Sequence, residues 1–243
     1  MFARPHTTIT SHDNAQLKEL RKLTQRRRER ERAGRFVAEG EDLLAAADAA
    51  GWEPLQRFCA AGSGLAGTEV IPELLSRASG IASGTRAVAV YAERWADTPL
   101  GPVCVYLHGV GDPGNVGTIL RGASAFGAGS VVLGPRTADP YSPKAVRASM
   151  GAVFEIPLVR VTDEALDRLP GTTVALVADR GAPLAQAGLT GPVTLLIGSE
   201  RDGLPVGLVA AADAVARIPI ANHSLNAAMA ATVALYELSR MPR

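Results

Sequence analysis

Apolar and polar positions follow two different spacings along the chain, and each spacing predicts one kind of element. Continuous apolar runs are typical of parallel strands that are covered on both faces. Such runs, and one extended stretch, predict strands at residues 103–107, 130–133, 154–161, 173–178, 193–197 and 214–220. Amphipathic or Ala-rich stretches predict helices at residues 116–126, 142–149, 163–169 and 224–239, with Ser224 as the N-cap of the last. This alternation predicts an α/β fold with a doubly wound, mostly parallel sheet.

The first part of the chain carries shorter elements of the same two kinds. Strands are expected at residues 35–39, 55–60 and 87–91, and helices at residues 40–50, 71–78 and within the polar stretch 11–32. Small residues at 61–67 predict a loop, and the stretch 92–102 predicts a linker. We therefore expect a smaller α/β domain over residues 1–97 and a larger domain over residues 98–243.

Composition narrows the class of protein. The chain has 243 residues, of which 47% are hydrophobic, and this is enough for a substantial core. No apolar run approaches the length of a membrane span, and the segment after Met1 lacks the apolar core of a signal peptide. A cytoplasmic protein without a membrane partner is expected. Cys59 and Cys104 lie far apart in apolar segments, so they predict buried reduced thiols rather than a zinc site.

Positive charge is concentrated near the beginning of the chain. The net charge is only +1, but residues 17–35 contain nine Lys or Arg against three Glu. A basic run of this kind can neutralise several phosphates of a nucleic acid. The candidate phosphate contacts are Arg26, Arg27, Arg28, Arg30 and Arg35. From this run alone, the alternative is a solvated helix face on which Glu and Arg pair at i,i+3 and i,i+4.

A glycine pattern at residues 109–114 matches G-x-G-x-x-G between a predicted strand and a predicted helix. A nucleotide-dependent oxidoreductase is therefore one candidate. Two features argue against it. Asp112-Pro113 predicts a turn before the third glycine, whereas the dinucleotide motif needs that glycine inside the helix. The next strand also lacks the acid that holds ribose hydroxyls, because no carboxylate follows until Asp139.

Three motifs place polar residues directly after predicted strands or at the start of a helix, where ligands bind in α/β sheets. They are Asp112-Pro-Gly-Asn115-Val-Gly-Thr-Ile-Leu-Arg121, Gly198-Ser-Glu200-Arg-Asp-Gly203 and Ile218-Pro-Ile-Ala-Asn-His-Ser224-Leu225-Asn226. In this order, and with Ser142-Pro-Lys-Ala-Val-Arg147 between them, the motifs resemble the SpoU (TrmH-like) branch of the SPOUT methyltransferases. The resemblance covers residues 103–238, and residues 14–40 are similar to the family's L30e-like RNA-binding domain.

The resemblance implies a fold, a cofactor and partners. The fold would be a trefoil-knotted, mostly parallel sheet with helices on both faces, although knotted chains are otherwise almost absent. Loops containing Gly198, Gly203, Ile218 and Leu225 would bind S-adenosylmethionine, and the glycines would allow close approach of the backbone or positive φ. The resemblance further implies a homodimer that transfers a methyl group to a ribose 2′-hydroxyl of RNA.

The reaction that the resemblance implies requires the hydroxyl oxygen to be aligned with the methyl group and relieved of its proton. The resemblance points to Arg121 as the essential residue. Two roles stay open for it, a proton acceptor or a cation that binds the target phosphate. Asn115 can anchor Arg121 or the phosphate, and Glu200 can pair with a guanidinium. Ser224 and Asn226 can hydrogen-bond the substrate or Arg121, with helix capping as their alternative role.

One segment departs from the family pattern. The link between Ile218 and Ser224 is shorter than in the family, and His223 stands where the family has an acid. We expect His223 to be a surface residue. The leading hypothesis is an RNA 2′-O-ribose methyltransferase that depends on S-adenosylmethionine, with ribosomal RNA favoured over transfer RNA because of the accessory domain. The alternatives are a transfer RNA methyltransferase and a non-catalytic RNA-binding protein that retains the fold.

Overall fold

The chain forms two compact units. The structure, a computed structural model, describes residues 8–80, 84–162, 166–221 and 225–241. The first unit comprises Met1–Glu93 together with Tyr141–Phe154, and the second comprises Arg94–Pro140 together with Glu155–Arg243. Tyr141–Phe154 thus groups with the first unit although it lies in the second half of the sequence.

Both units contain helices and strands. The helices in chain order are α1 Ala15–Gln25, α2 Arg27–Ala33, α3 Glu41–Ala49, α4 Pro72–Ser79, α5 Pro113–Ala125, α6 Pro143–Ser149, α7 Val206–Ala211 and α8 Ala227–Arg240. The strands are β1 Arg35–Glu39, β2 Gln56–Ala60, β3 Thr68–Val70, β4 Ala87–Ala92, β5 Val103–Leu107, β6 Ser130–Leu133, β7 Leu158–Arg160, β8 Thr172–Leu176, β9 Ala182–Pro183, β10 Val193–Ile197 and β11 Ala214–Arg217.

The first unit is built on a small mixed sheet. Its strand order is β1-β4-β2-β3, with β4 antiparallel to β1 and β2, and β2 parallel to β3. Leu17, Leu20 and Leu23 recur every three residues on α1 and are buried in the core of this unit, which is the apolar spacing of an amphipathic helix. Asn14 fixes the start of α1, because its side chain accepts hydrogen bonds from the first backbone N–H groups of the helix.

An aromatic cluster joins Tyr141–Phe154 to the rest of the first unit. The rings of Phe36 and Tyr141 lie 4.5 Å apart, and those of Trp52 and Phe154 lie 5.2 Å apart. The indole Nε1 of Trp52 also donates to the carbonyl oxygen of Phe154 at 2.8 Å. Buried aromatic pairs contribute stability beyond the area that they remove from water, so this cluster holds α6 in the first unit.

The second unit contains a larger sheet in which the neighbouring strands run parallel. The order is β7-β6-β5-β10-β8-β11-β9. Every residue of the central strands β5 and β10 is buried, which is expected when both faces of a parallel sheet are covered. Leu208 and Val209 of α7 pack in the core on one face, while α5 and α8 pack against each other. The predicted mostly parallel α/β sheet is confirmed.

Several predicted boundaries are wrong. The strand expected at 214–220 ends at Arg217, and the one expected at 154–161 narrows to β7. The helix expected at 163–169 is a single 3₁₀ turn at Leu166–Arg168, and residues 163–165 lie outside the described residues. Strand β3 was not predicted. It has only three residues and follows the loop at 61–67 directly, so it is too short to show a periodic pattern.

Two predictions about helix starts also fail. The last helix begins at Ala227 with Asn226 as its N-cap, whereas Ser224, the predicted cap, lies outside the described residues. The turn predicted before Gly114 is absent, because α5 already begins at Pro113 and Asp112 caps it. Proline suits the first position of a helix, where its missing N–H is not needed. Gly114 therefore lies in the first turn of the helix.

The two cysteines are free and buried, as predicted, and burial raises the pKa of both thiols. Across the described ranges, no helix combines the length and apolar character needed to cross a bilayer. The strand order does not describe how the chain is threaded, so the trefoil knot stays a prediction.

Candidate functional site

Loops that follow β8, β10 and β11 meet at one edge of the second unit's sheet. β8 lies between β10 and β11, and the strands run parallel, so their carboxyl ends coincide. With the start of α8 and part of α7, these loops line a cavity of about 550 Å³. Small-molecule sites typically enclose about 300–1,000 Å³. The carboxyl edge of a parallel sheet is also where ligands bind in α/β folds.

The cavity combines apolar and charged side chains. Leu176, Ile197, Ile218 and Leu225 are among its apolar residues. Its charged residues are Asp179, Arg180, Glu200, Arg201 and Asp202. Such a lining suits a ligand that has one flat apolar part and one strongly polar part.

All residues predicted to bind the cofactor line this one cavity. Gly198 and Gly203 come from the loop after β10, Ile218 from the loop after β11, and Leu225 from the residues just before α8. Apart from the 198–203 loop, they are distant in the sequence, and the parallel sheet brings them together. The cavity therefore joins the second and third sequence motifs in one site.

The two glycines are required by the turn that they close. Ser199 and Gly203 form a two-way backbone bridge in which each N–H donates to the other carbonyl oxygen at 3.1 Å. Gly203 has φ +65°, in the left-handed region that favours glycine. A Cβ on Gly198 would lie 2.2 Å from the carbonyl carbon of Gly203. The close approach at Gly198 is thus to the protein's own backbone.

A chain of side-chain hydrogen bonds connects the three sequence motifs. Asn115 Nδ2 donates to Glu200 Oε1 in a short contact, and Asn226 Nδ2 donates to Asn115 Oδ1 at 3.1 Å. Asn226 Oδ1 then accepts from the backbone N–H of Ala228 at 2.9 Å, at the start of α8. Asn115 of the first motif therefore bonds to one residue of each of the other two motifs, beside the cavity that Glu200 lines.

The groups at the two ends of this series of hydrogen bonds set the orientation of both amides. An ionised carboxylate only accepts hydrogen bonds, so Asn115 turns its NH₂ toward Glu200 and its oxygen toward Asn226. At the other end, the N-terminus of α8 offers only donors, so Asn226 turns its oxygen toward the helix. Each amide is therefore held in one orientation, because the carboxylate can only accept and the helix N–H groups can only donate.

Arg121 lies on the exposed face of α5, while Val116, Ile119 and Leu120 face the core. Its guanidinium forms no hydrogen bond or ion pair with another residue in the described part of the chain. Asn115 lies six residues earlier, which places the two side chains about 120° apart around the helix axis and about 9 Å apart along it. The predicted anchoring of Arg121 by Asn115 is not seen, and Glu200 accepts from Asn115 rather than from a guanidinium.

The basic segment forms part of the first unit. Arg26, Arg27 and Arg28 are exposed at the junction of α1 and α2. Arg27 pairs with Glu31 at 2.8 Å, and Arg35 pairs with Glu19 at 2.7 Å. The i,i+4 pairing expected for a solvated helix face is thus present, but it leaves Arg26 and Arg28 without an ion pair among the described residues.

Arg30 does not belong to the exposed basic surface, contrary to the prediction. Only 4% of it is accessible, and its guanidinium donates to the carbonyl oxygen of Leu23 at 2.8 Å. Leu23 lies in the last turn of α1, where backbone carbonyls lack helical partners. Arg30 therefore supplies a hydrogen-bond donor to a carbonyl oxygen in the last turn of α1, and it is not available to a nucleic acid.

Sequence reasoning missed Asp179 and Arg180, which line the cavity from the loop after β8. No motif covers them. The only available signal was their place directly after an apolar run, at the same sheet edge as the other loops.

Two family models match separate parts of the chain. Residues 102–236 match the model of the SpoU rRNA Methylase family, and residues 14–92 match the MRM3-like substrate binding domain. A 23S rRNA (uridine(2479)-2'-O)-methyltransferase from Streptomyces viridochromogenes is 41% identical over 140 residues, which is 53% of this chain and 49% of that protein. A 23S rRNA (guanosine(2553)-2'-O)-methyltransferase from Bacillus subtilis is 34% identical over 138 residues, or 54% and 56% of the two chains.

The aligned part of this chain thus spans about half the length of these curated relatives. Among solved structures, an AdoMet-bound rRNA methyltransferase from Sinorhizobium meliloti matches with a TM-score of 0.86 and 34% identity. That match covers 96% of this chain and 97% of the other.

Proposed function

Because this chain belongs to the SpoU rRNA methylase family, we propose that it transfers a methyl group from S-adenosylmethionine to a ribose 2′-hydroxyl of RNA. The observation that carries the proposal is the contact between the three motifs. The cavity and the chain Glu200–Asn115–Asn226 share Glu200, so a ligand site adjoins an oriented polar group.

The cavity residues fit S-adenosylmethionine. Its volume is sufficient for a small ligand, and its mixed lining suits an adenine ring joined to a charged amino-acid end. Gly198, Gly203, Ile218 and Leu225 would hold the cofactor. When bound, the cofactor supplies an electrophilic methyl group on a sulfonium. The chain's own residues then have to bring the ribose oxygen to that end of the cavity.

Asn115, Glu200 and Asn226 are proposed to form a fixed polar surface for the incoming ribose. Each amide is held by a partner that dictates its orientation, so no reorganisation is needed when the substrate binds. Ser224 is proposed to contact the substrate from the segment before Leu225.

Arg121 is proposed to act as a cation that binds the phosphate next to the target ribose. It is exposed, and a guanidinium offers only N–H donors, arranged in a planar fork that matches phosphate oxygens. This supports binding of the phosphate over acceptance of the hydroxyl proton. Because Arg121 and Asn115 lie on one rigid helix, a phosphate held by the first positions its ribose relative to the second.

Residues 1–97 are proposed to select the RNA, and residues 98–243 to carry out methyl transfer. The exposed residues Arg26, Arg27 and Arg28, together with the half-buried Arg35, supply positive charge for phosphates. Ribosomal RNA is favoured over transfer RNA, since the names of both curated relatives above specify 23S rRNA.

Three further properties are proposed on the family relationship. The second domain would contain the trefoil knot, the protein would act in the cytoplasm, and it would form a homodimer. The exposed residues Met229, Val233 and Tyr236 support the dimer. They recur at i, i+4 and i+7 along α8, so they form one apolar stripe that a second copy can cover.

The test is transfer of a labelled methyl group to RNA from cells that lack the gene, with ribosomal and transfer RNA offered separately. Primer extension at low nucleotide concentration then locates the new 2′-O-methyl group. We expect label in ribosomal RNA at one nucleotide. Label in transfer RNA alone would show that transfer RNA, and not ribosomal RNA, is the substrate. Absence of both label and S-adenosylmethionine binding would indicate a non-catalytic RNA-binding protein.

A further inference from the structure

The loop between β8 and β9 presents two opposite charges to the cavity. Asp179 and Arg180 are adjacent in sequence, both line the cavity, and both are exposed. Within the ranges that the structure describes, neither side chain forms a hydrogen bond or an ion pair. Charged groups that face a cavity without a protein partner are free to bind a ligand of complementary charge.

This loop is held at both ends. Before it, the N–H of Val177 donates to the carbonyl oxygen of Ala216 at 3.0 Å. After it, Arg217 Nε donates to the carbonyl oxygen of Gly181 at 3.2 Å. Gly181 also packs so closely that a Cβ there would lie 2.4 Å from the carbonyl oxygen of Val215. The backbone at residues 178–180 is therefore fixed against β11, and the two charges are carried by a positioned loop.

The strand order separates these charges from the place where RNA is proposed to bind. β10 lies between β5, which leads into α5, and β8, which leads into this loop. Glu200, in the loop after β10, accepts a hydrogen bond from Asn115. Asp179 and Arg180 thus lie one strand further from Asn115 than Glu200 does. If the methyl group of the bound cofactor faces Asn115, the amino-acid end of the cofactor has to point away from Asn115.

Taking the proposed function as given, we infer that Asp179 and Arg180 recognise the amino-acid end of S-adenosylmethionine. That end carries a carboxylate and an ammonium on the same carbon. Arg180 donates to the carboxylate, for which the planar guanidinium is well matched. Asp179 accepts from the ammonium. The two side chains thus bind both charges of the zwitterion, while the apolar residues of the cavity hold the adenine ring.

The experiment uses calorimetry with the full chain and three ligands that retain different parts of this end. S-Adenosylmethionine has both groups, its decarboxylated form keeps the ammonium, and 5′-methylthioadenosine has neither and is an uncharged thioether. We expect Arg180→Gln to weaken binding of S-adenosylmethionine about tenfold and of the other two by less than about twofold. Asp179→Asn should weaken the first two ligands about tenfold and leave the third within about twofold.

Arg77→Gln is the control for loss of one positive charge, since Arg77 is exposed on the last turn of α4 and does not line the cavity. It should change the affinity for all three ligands by less than about twofold. The inference is overturned if Arg180→Gln weakens all three equally, or if it leaves S-adenosylmethionine unchanged and lowers RNA affinity instead. A parent chain that binds none of the ligands would reject the proposed function as well, whereas a binding parent with unaffected variants rejects this inference alone.

Discussion

Asn226 donates to the side-chain oxygen of Asn115 at 3.1 Å, across 111 residues of sequence. The first residue caps α8 and the second lies in the first turns of α5. Since Asn115 also donates to Glu200, the bond fixes the start of one helix against the start of another at the edge of the cavity. The orientation of these amides is therefore a property of the whole site, and changing one member should affect the others.

Asn115→Asp tests this directly. The substitution keeps the shape but replaces the donor that faces Glu200 by an acceptor with like charge. We expect kcat for methyl transfer to fall at least about 100-fold, with the affinity for S-adenosylmethionine within about threefold of the parent. Single-turnover kinetics and calorimetry measure the two quantities separately.

Its control is the double variant Asn115→Asp with Glu200→Gln, which restores one donor and one acceptor in reversed positions. Recovery of at least about tenfold in kcat over the single variant is expected, because contacting residues couple in such cycles. A double variant no faster than Asn115→Asp would show that the contact between the two side chains does not matter for the reaction.

Arg121→Ala should remove the cation proposed to hold the target phosphate. We expect kcat/KM for RNA to fall by about 100- to 1,000-fold, while the affinity for the cofactor stays within about twofold. Arg121→Lys should recover part of the loss, since it restores the charge without the planar fork. Thr118→Ala is a matched control on the same exposed face. Its hydroxyl donates to the carbonyl oxygen of Gly114 within the helix and has no other partner among the described residues. An Arg121→Ala enzyme as fast as the parent would remove Arg121 from the site.

Residues of the basic segment should separate into two groups. Arg26→Gln and Arg28→Gln should weaken RNA binding, and each should reduce the slope of log K against log salt by about 0.7–0.9. Arg30→Gln should instead lower the free energy of unfolding by about 1–3 kcal/mol, because the carbonyl oxygen of Leu23 would lose its buried donor. Filter binding at several salt concentrations and denaturant unfolding distinguish the two.

Arg77→Gln, on the exposed last turn of α4 in the same unit, controls for a general loss of charge. Equal salt slopes for Arg26→Gln, Arg28→Gln, Arg77→Gln and the parent would mean that the basic segment does not contact phosphates.

The part of the fold that the sequence predicts well is the part where one interaction dominates. Val103–Leu107 and Val193–Ile197 are apolar at nearly every position because both faces of their strands are buried, so the pattern alone identifies parallel strands. The position of the cavity then follows, since polar motifs after parallel strands have to meet at one edge.

Long-range contacts are what the sequence could not reveal. Arg30 lies in the same run of Arg and Glu as Arg28, yet it is buried and its guanidinium donates to the carbonyl oxygen of Leu23. Ser224 and Asn226 are equally good caps by residue type, so local propensity could not place the start of α8. Likewise, Tyr141–Phe154 joins the first unit through rings such as Phe36, which lies more than a hundred residues away in sequence.

The glycines of the turn after β10 should respond differently to the same substitution. Gly198→Ala should abolish cofactor binding, because its Cβ would lie 2.2 Å from the backbone of Gly203 and force the turn open. At Gly203 there is space for a Cβ, but φ is left-handed, a conformation that alanine disfavours. Gly203→Ala should therefore lower the free energy of unfolding by about 1–2 kcal/mol and weaken cofactor binding only in part. Gly207→Ala, on α7 with neither constraint, should leave binding unchanged and raise stability by about 0.4–1 kcal/mol. Calorimetry and thermal unfolding of the three variants measure this order, and a Gly198→Ala protein that binds the cofactor like the parent would mean that the turn does not form the cavity wall.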